Sequence, residues 1–214
     1  MPSDDGPLHD GDSVSYDGPS ALPSKPDPAR RHLQDDDMAR SSSGPGARGR
    51  VTLVLGGARS GKSALAERLA AAADTVTYIA TMHVGDDAGL AERVATHRRR
   101  RPEHWRTVEA DDDLIAALEN AEGTVLLDSL GPWVAGHAEF AADVDGLCAA
   151  LGRRAGDTIV VSDEVGLGVV PSTAAGGQFR DALGTANQAV AAVADRVLLV
   201  VAGRVLVLDP PPER

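Results

Sequence analysis

Cysteine is nearly absent from these 214 residues: Cys148 stands alone, so no disulfide can form within the chain, as expected in a reducing cytoplasm. Aromatic residues make up only 3% of the sequence, too few for the stacking platforms that hold single-stranded nucleic acid. Positive charge is short as well. The chain has 21 Lys and Arg against 32 Asp and Glu, a formal net charge of -11, where a general nucleic-acid binder normally carries a basic domain. No apolar run approaches the ~20 residues that span a bilayer, and the opening residues lack the basic-then-apolar layout of a signal peptide. A soluble cytoplasmic protein is expected. Lysine is the scarcest charged residue, with only Lys25 and Lys62 beside nineteen arginines.

Residues 1–50 are rich in Asp, Ser, Pro and Gly and have no sustained hydrophobic period. Such a segment buries too little apolar surface to offset its ordering entropy, so a disordered acidic tail is expected there. Residues 51–214 form the expected domain, with 15 basic against 23 acidic side chains.

Apolar strands alternate with helical stretches from Val51 onward. The runs "VTLVL" (51–55), "VTYIA" (76–80), "WRTVEA" (105–110), "TVLLD" (124–128) and "TIVVS" (158–162) read as strands. Helices are expected over 63–73, 86–100, 111–121 and 174–194, the third with an acidic first turn. "RVLLVVAGRVLVL" (196–208) reads as two strands around Gly203-Arg204, a terminal hairpin. Continuous apolar strands between helices predict an α/β fold whose mostly parallel sheet is covered on both faces.

The first strand-helix junction reads "GGARSGKS", residues 56–63, and fits G-x-x-x-x-G-K-[ST] in the required context. A P-loop NTPase-like fold follows. Gly56, Gly57, Ala58, Arg59, Ser60 and Gly61 would turn backbone N–H groups toward phosphates at a helix N-terminus. Lys62 would reach the β- and γ-phosphates, and the Ser63 hydroxyl would ligate Mg²⁺. A chain so biased to arginine that keeps its one lysine beyond residue 25 in this slot needs an ammonium point charge there. Asp128, closing "TVLLD", is a second Mg²⁺ ligand by position or else a helix N-cap. Asp163 and Glu164 end another strand, and the Gly-rich loop after them lines the site expected beyond the carboxyl ends of the strands.

The block "VATHRRRRPEHW" (94–105) sets His97 before Arg98, Arg99, Arg100 and Arg101. On a helix Leu90, Val94, His97 and Arg101 form one stripe, which turns His97 inward. Neighbouring guanidiniums favour the neutral, nucleophilic imidazole and grip phosphate oxygens in a fork. By itself such a block also fits a solvated helix end; beside a nucleotide site, His97 becomes a candidate acceptor of a nucleotidyl group.

Taken in order, "LGGARSGKS", "YIAT", "RVATHRRRRPEHWRTVE", "LLDSL", "SDEVGLGVVP" and "FRDALGTANQAVAAVADRVLLVVAG" resemble the bifunctional adenosylcobinamide kinase / adenosylcobinamide-phosphate guanylyltransferase family of cobalamin biosynthesis. The resemblance covers residues 51–210. It implies phosphorylation of adenosylcobinamide by ATP or GTP, then transfer of GMP from GTP through a GMP-histidine to give adenosylcobinamide-GDP. The guanylylated histidine falls on His97, and His104 falls in a variable slot. The resemblance also implies nucleotide contacts from the P-loop, Thr81, Met82, His83, Arg98 to Arg101, Glu109 and Asp128, and a homo-oligomer. The acidic tail departs from the family pattern, as does Asp163, where relatives often carry Asn. Two other readings stay open at this stage. One is a monofunctional P-loop kinase without a covalent intermediate. The other is a nucleic-acid module using the basic-aromatic block, which the acidic domain disfavours.

Overall fold

The computed structural model describes residues 48–81, 102–110 and 113–210. Among these residues seven strands form one sheet, β1 (Val51–Gly56), β2 (Val76–Ala80), β3 (Arg106–Glu109), β4 (Thr124–Asp128), β5 (Thr158–Asp163), β6 (Arg196–Val201) and β7 (Arg204–Leu208), in the spatial order β3-β2-β4-β5-β1-β6-β7. All neighbours are parallel except β6 and β7. That pair is the expected hairpin: Ala202 (φ 49°) and Gly203 (φ 73°) both take the left-handed backbone that a two-residue turn requires.

The strands are apolar on consecutive residues because both faces are covered. Leu53, Ile79, Leu127 and Val160 pack on one face with Leu118, Leu130, Leu147, Leu151, Leu183 and Val190. These come from four helices, α2 (Leu114–Glu119), α3 (Leu130–Gly136), α4 (Val144–Arg153) and α5 (Ala174–Val193). Val54, Leu126, Val161 and Leu198 turn the other way, onto Leu65, Ala66 and Ala70 of α1 (Lys62–Ala70) and onto Tyr78 and Trp105. Each residue step along a strand thus feeds opposite cores.

The expected helix at 111–121 begins later. Asp113 is its N-cap and accepts a hydrogen bond from the Ala116 N–H at 2.8 Å. The expected 86–100 helix lies outside the described residues. Helices α3 and α4 are additions to the reading of the sequence, the latter capped by Asp143 through the Gly146 N–H at 2.9 Å. The glycines of α5 do not interrupt it: twenty residues run unbroken because Leu183, Ala186 and Val190 hold its buried face to the sheet.

The boundary placed at residue 50 moves earlier. Arg48 makes a forked pair with Asp195 at 2.7 and 3.0 Å, and the Gly49 N–H donates to the Arg154 carbonyl at 2.8 Å. Residues 48–50 therefore belong to the domain, whereas the expected tail up to residue 47 lies outside the described residues. Beneath the amino ends of the strands, the buried Arg154 donates to the carbonyls of Leu118, Ala121 and Gly123 at 2.7–2.8 Å and to the Thr158 hydroxyl at 3.1 Å. Burial alone lowers its readiness to stay charged, and these acceptors answer that cost. No described helix is long and apolar enough to cross a membrane.

Candidate active site

Strand β1 delivers the chain to a tight loop. A side chain at Gly56 would strike the Ser60 hydroxyl and come within 2.8 Å of the Val200 carbonyl, so only hydrogen fits. Gly61 sits at φ 96°, a conformation that costs other residues, and α1 begins immediately after it. The helix has no side-chain cap and no carboxylate in its first turn. Its positive end is therefore left to an anion, which is what a phosphate requires. Arg59, also at positive φ (58°), is exposed at the loop crest. The loop is tied down from the neighbouring strand pair, because the Gly203 N–H in the β6–β7 turn donates to the Ser60 carbonyl at 2.8 Å.

Lys62 folds back over this loop. Its Nζ lies 2.6 Å from Asp163 Oδ1 and 3.4 Å from the Gly57 carbonyl, with its side chain only 13% exposed. Asp163 faces Gly56 across the β1–β5 ladder. Its strand end is clamped twice, by the Asn187 amide donating to the Asp163 carbonyl at 3.0 Å and by the Glu164 N–H donating to the Gly56 carbonyl at 3.1 Å. The Glu164 carboxylate turns back on its own loop and accepts from the N–H groups of Gly166 and Leu167 at 2.8 and 2.9 Å. Beyond it Leu167, Val169 and Val170 stand exposed, an apolar rim on the loop that follows β5.

Asp128 ends β4, level with Val161 of β5 and hence with Val54 of β1. It does not cap the next helix, whose N-cap is Ser129. The buried Tyr78 hydroxyl donates to Asp128 Oδ2 at 2.6 Å and orients the carboxylate. Thr81 is also buried, and its hydroxyl both donates to the Ser129 carbonyl and accepts from the Ser129 N–H. That side chain joins the ends of β2 and β4, so a nucleotide contact from Thr81 is left to its backbone. Glu109 ends β3, exposed at the sheet's edge and paired in register with Ala80. His104 is exposed and Trp105 buried. Met82, His83, His97 and Arg98 to Arg101 lie outside the described residues.

Lys62, Ser63, Asp128 and Asp163 thus all belong to the carboxyl end of the parallel sheet, where open α/β folds bind their ligands. Among the described residues no three His, Cys, Asp or Glu side chains cluster as a dedicated metal cage. One hydroxyl and one carboxylate beside a phosphate site nevertheless suit Mg²⁺, which keeps several waters and shares its remaining ligands with phosphate oxygens. Reading the sequence missed Tyr78 and Asn187 as site-builders. A phenol inside an otherwise apolar strand was the available signal for the first.

The chain matches the family model described as cobinamide kinase / cobinamide phosphate guanyltransferase over residues 52–208. The bifunctional adenosylcobalamin biosynthesis protein CobP of Pseudomonas aeruginosa is 42% identical over 161 residues, 71% of this chain and 92% of that protein. The corresponding CobU of Escherichia coli K12 is 40% identical over 175 residues, 72% of this chain and 96% of that protein. Among solved structures, an ATPase from a bacterial type III secretion system overlaps with a TM-score of 0.48 at 12% identity, covering 71% of this chain and 51% of that one. A built phosphate loop and sequence matches along almost the full length of two relatives meet in one conclusion: the chain belongs to the cobinamide kinase / cobinamide phosphate guanyltransferase family.

Proposed function

We propose that this protein performs both reactions in its family's name: it phosphorylates adenosylcobinamide with ATP or GTP and then transfers GMP from GTP to the product, giving adenosylcobinamide-GDP. The observation that carries this reading is the loop at 56–63, with its uncapped helix end and the Lys62 ammonium folded over it, inside a chain that matches the family over residues 52–208.

In the first reaction the loop N–H groups and Lys62 hold the β- and γ-phosphates. Negative charge shifts onto the bridging oxygen as the γ-phosphorus is taken by the acceptor hydroxyl, and these donors stabilise it. Ser63 and Asp128 would hold Mg²⁺, which supplies further charge neutralisation on the same oxygens. The apolar rim of Leu167, Val169 and Val170 gives a bulky, partly apolar acceptor a surface beside the loop.

In the second reaction a nitrogen of His97 forms a bond to the α-phosphorus of GTP and the bond to the β-phosphate breaks, releasing pyrophosphate. The phosphate oxygen of the corrinoid then takes the GMP and frees the histidine. Arg98 to Arg101, with Glu109 and backbone at Thr81 to His83, are the nucleotide contacts in this reading. It is supported by the run of arginines beside a histidine and by the family match, which spans the block. The protein acts on small molecules in the cytoplasm as a homo-oligomer, with neither nucleic acid nor membrane as partner; the charge of -11 favours this over a polyanion binder.

Incubation with α-labelled GTP and Mg²⁺, followed by denaturing electrophoresis, tests the proposal directly. A labelled band that adenosylcobinamide phosphate discharges is expected. Kinase activity without any label would leave only a monofunctional kinase.

A further inference from the structure

We propose that the loop from Glu164 to Val170 seats the corrinoid in both reactions, with Leu167, Val169 and Val170 as its contacts and Glu164 as the residue that positions them. The inference rests on the two-reaction reading above and deepens it by naming where the acceptor sits.

Leu167, Val169 and Val170 are 79%, 96% and 73% exposed. Three branched aliphatic side chains this close together and open to water form the kind of patch that marks a binding surface. The loop that carries them is held at three points. At its start the Glu164 N–H donates to the Gly56 carbonyl at 3.1 Å, and Val165 packs against the larger core. In its middle the Glu164 carboxylate accepts from the N–H groups of Gly166 and Leu167 at 2.8 and 2.9 Å. At its end Pro171 meets the first turn of α5: a Cβ added at Gly176 would lie 2.9 Å from the Pro171 side chain. There Thr173 caps the helix by accepting from the Gly176 N–H at 3.1 Å. A segment that merely connected β5 to α5 would not need its backbone fixed while its apolar side chains stay outside. A surface held in place beforehand loses little conformational freedom when a ligand covers it.

Position selects the occupant. The loop is continuous with the phosphate site, since it departs from Asp163, whose carboxylate lies 2.6 Å from the Lys62 ammonium, and is bonded to Gly56. Leu167 is four residues past Asp163, so its backbone lies within about 14 Å of it. The molecule that must come to this place is the phosphoryl acceptor, and a corrin ring carries methyl groups around its rim. Triphosphate, the other molecule here, gains nothing from aliphatic contacts. The remaining exposed aliphatic run, Leu206, Val207 and Leu208, lies on β7, which descends the sheet's edge away from the phosphate loop. The acceptors of the two reactions are one corrinoid before and after a phosphoryl group is added to its arm. The ring is unchanged, so a single seat serves both.

The test is Leu167→Ser combined with Val169→Ser in the full chain. Both side chains are exposed, so the fold should stand. Covering one Leu or Val side chain is worth about 10-fold or more in affinity. KM for adenosylcobinamide in the kinase step and for adenosylcobinamide phosphate in GMP transfer should therefore both rise by about 10-fold or more, with little change in kcat. The ATP dissociation constant and the GMP label from α-labelled GTP, which need no corrinoid, should stay at wild-type values. Glu164→Ala should raise the same two KM values, and Glu164→Gln, which keeps one acceptor oxygen, should recover part of the loss. A merely structural role would instead lower kcat and ATP binding together. Unchanged KM values, a rise in one step only, or a loss of ATP binding overturns the seat. So does a change of molecular mass in solution with KM unchanged, because the rim would then be an interface between copies. Equilibrium dialysis with adenosylcobinamide separates the two levels. Wild-type protein that binds the corrinoid and never phosphorylates it would overturn the kinase reading; rim variants that bind it as tightly as wild type would overturn the seat alone.

Discussion

The buried hydroxyl of Tyr78 donates to Asp128 at 2.6 Å and so fixes a carboxylate at the carboxyl end of the neighbouring strand, the end of the sheet that carries the phosphate loop. Tyr78→Phe removes this hydrogen bond and keeps the ring, which is buried in the core shared with Leu65, Leu126 and Val161. Stability should fall by about 2 kcal/mol, the range for a hydrogen bond to a charged group. If Asp128 holds Mg²⁺, the concentration needed for half-maximal kinase rate should rise several-fold, whereas ATP binding without metal should not change. A magnesium titration with and without corrinoid measures both.

Lys62→Ala should abolish phosphoryl transfer and leave the fold standing. The pair it breaks has a partly exposed partner, so the stability change should stay within about 1 kcal/mol. Circular dichroism checks the fold and turnover checks the chemistry; an unchanged rate would take the loop out of the mechanism.

His97→Ala should lose the covalent GMP and keep most of the kinase activity. The wild-type label should be acid-labile and base-stable, as a phosphorus–nitrogen bond to imidazole is. His104→Ala should retain the label, since that side chain is exposed on the short turn before Trp105. Stoichiometric acid-labile GMP on the His97→Ala protein would redirect attention to His83 or His104.

Removing residues 1–47 should leave melting temperature and both activities nearly unchanged. Removing residues 1–50 should not. That cut deletes the Arg48–Asp195 fork, the Gly49–Arg154 bond and the bond from the Arg50 N–H to Asp157 at 2.8 Å. A loss of about 1–3 kcal/mol is expected, read as the difference between the two truncations in denaturant.

Arg154→Met should destabilise by about 3 kcal/mol or more, because three carbonyls and a threonine hydroxyl lose their buried donor together. Turnover per folded molecule should be unaffected, since Arg154 lies below the amino ends of β4 and β5 and the chemistry lies at their carboxyl ends.

The phosphate loop, the parallel sheet and the closing hairpin were legible because each has a local signature: spaced glycines before Lys62, consecutive apolar residues in β1, β4 and β5, and a glycine between two such runs. The turn itself falls at Ala202-Gly203, one residue before the Gly203-Arg204 read from the sequence. Helix α3 was not. Its "LGPWVAG" holds two glycines and a proline, and it stands because Leu130, Trp133 and Val134 are buried in the larger core. The domain's first contacts were missed for another reason. Arg48 lies in a Gly- and Arg-rich stretch that resembles the tail, and its partner Asp195 is 147 residues away. A smaller separation, 24 residues, is enough to hide the site's second layer: nothing near Asn187 in the sequence says that its amide will hold the carbonyl of Asp163.

Strand β1, made first, lies between β5 and β6, and the turn that secures the Ser60 carbonyl is Gly203. During synthesis, therefore, the phosphate loop emerges about a hundred residues before the strands on either side of it. Until β5 is free of the ribosome β1 has neither of its sheet neighbours, and until residue 203 follows, the loop behind it lacks the bond from the Gly203 N–H to the Ser60 carbonyl. The last strands to be made thus complete the site that the first one begins, and a chain cut before the hairpin is expected to leave β1 with an open edge, the exposure that favours aggregation over a merely slower enzyme.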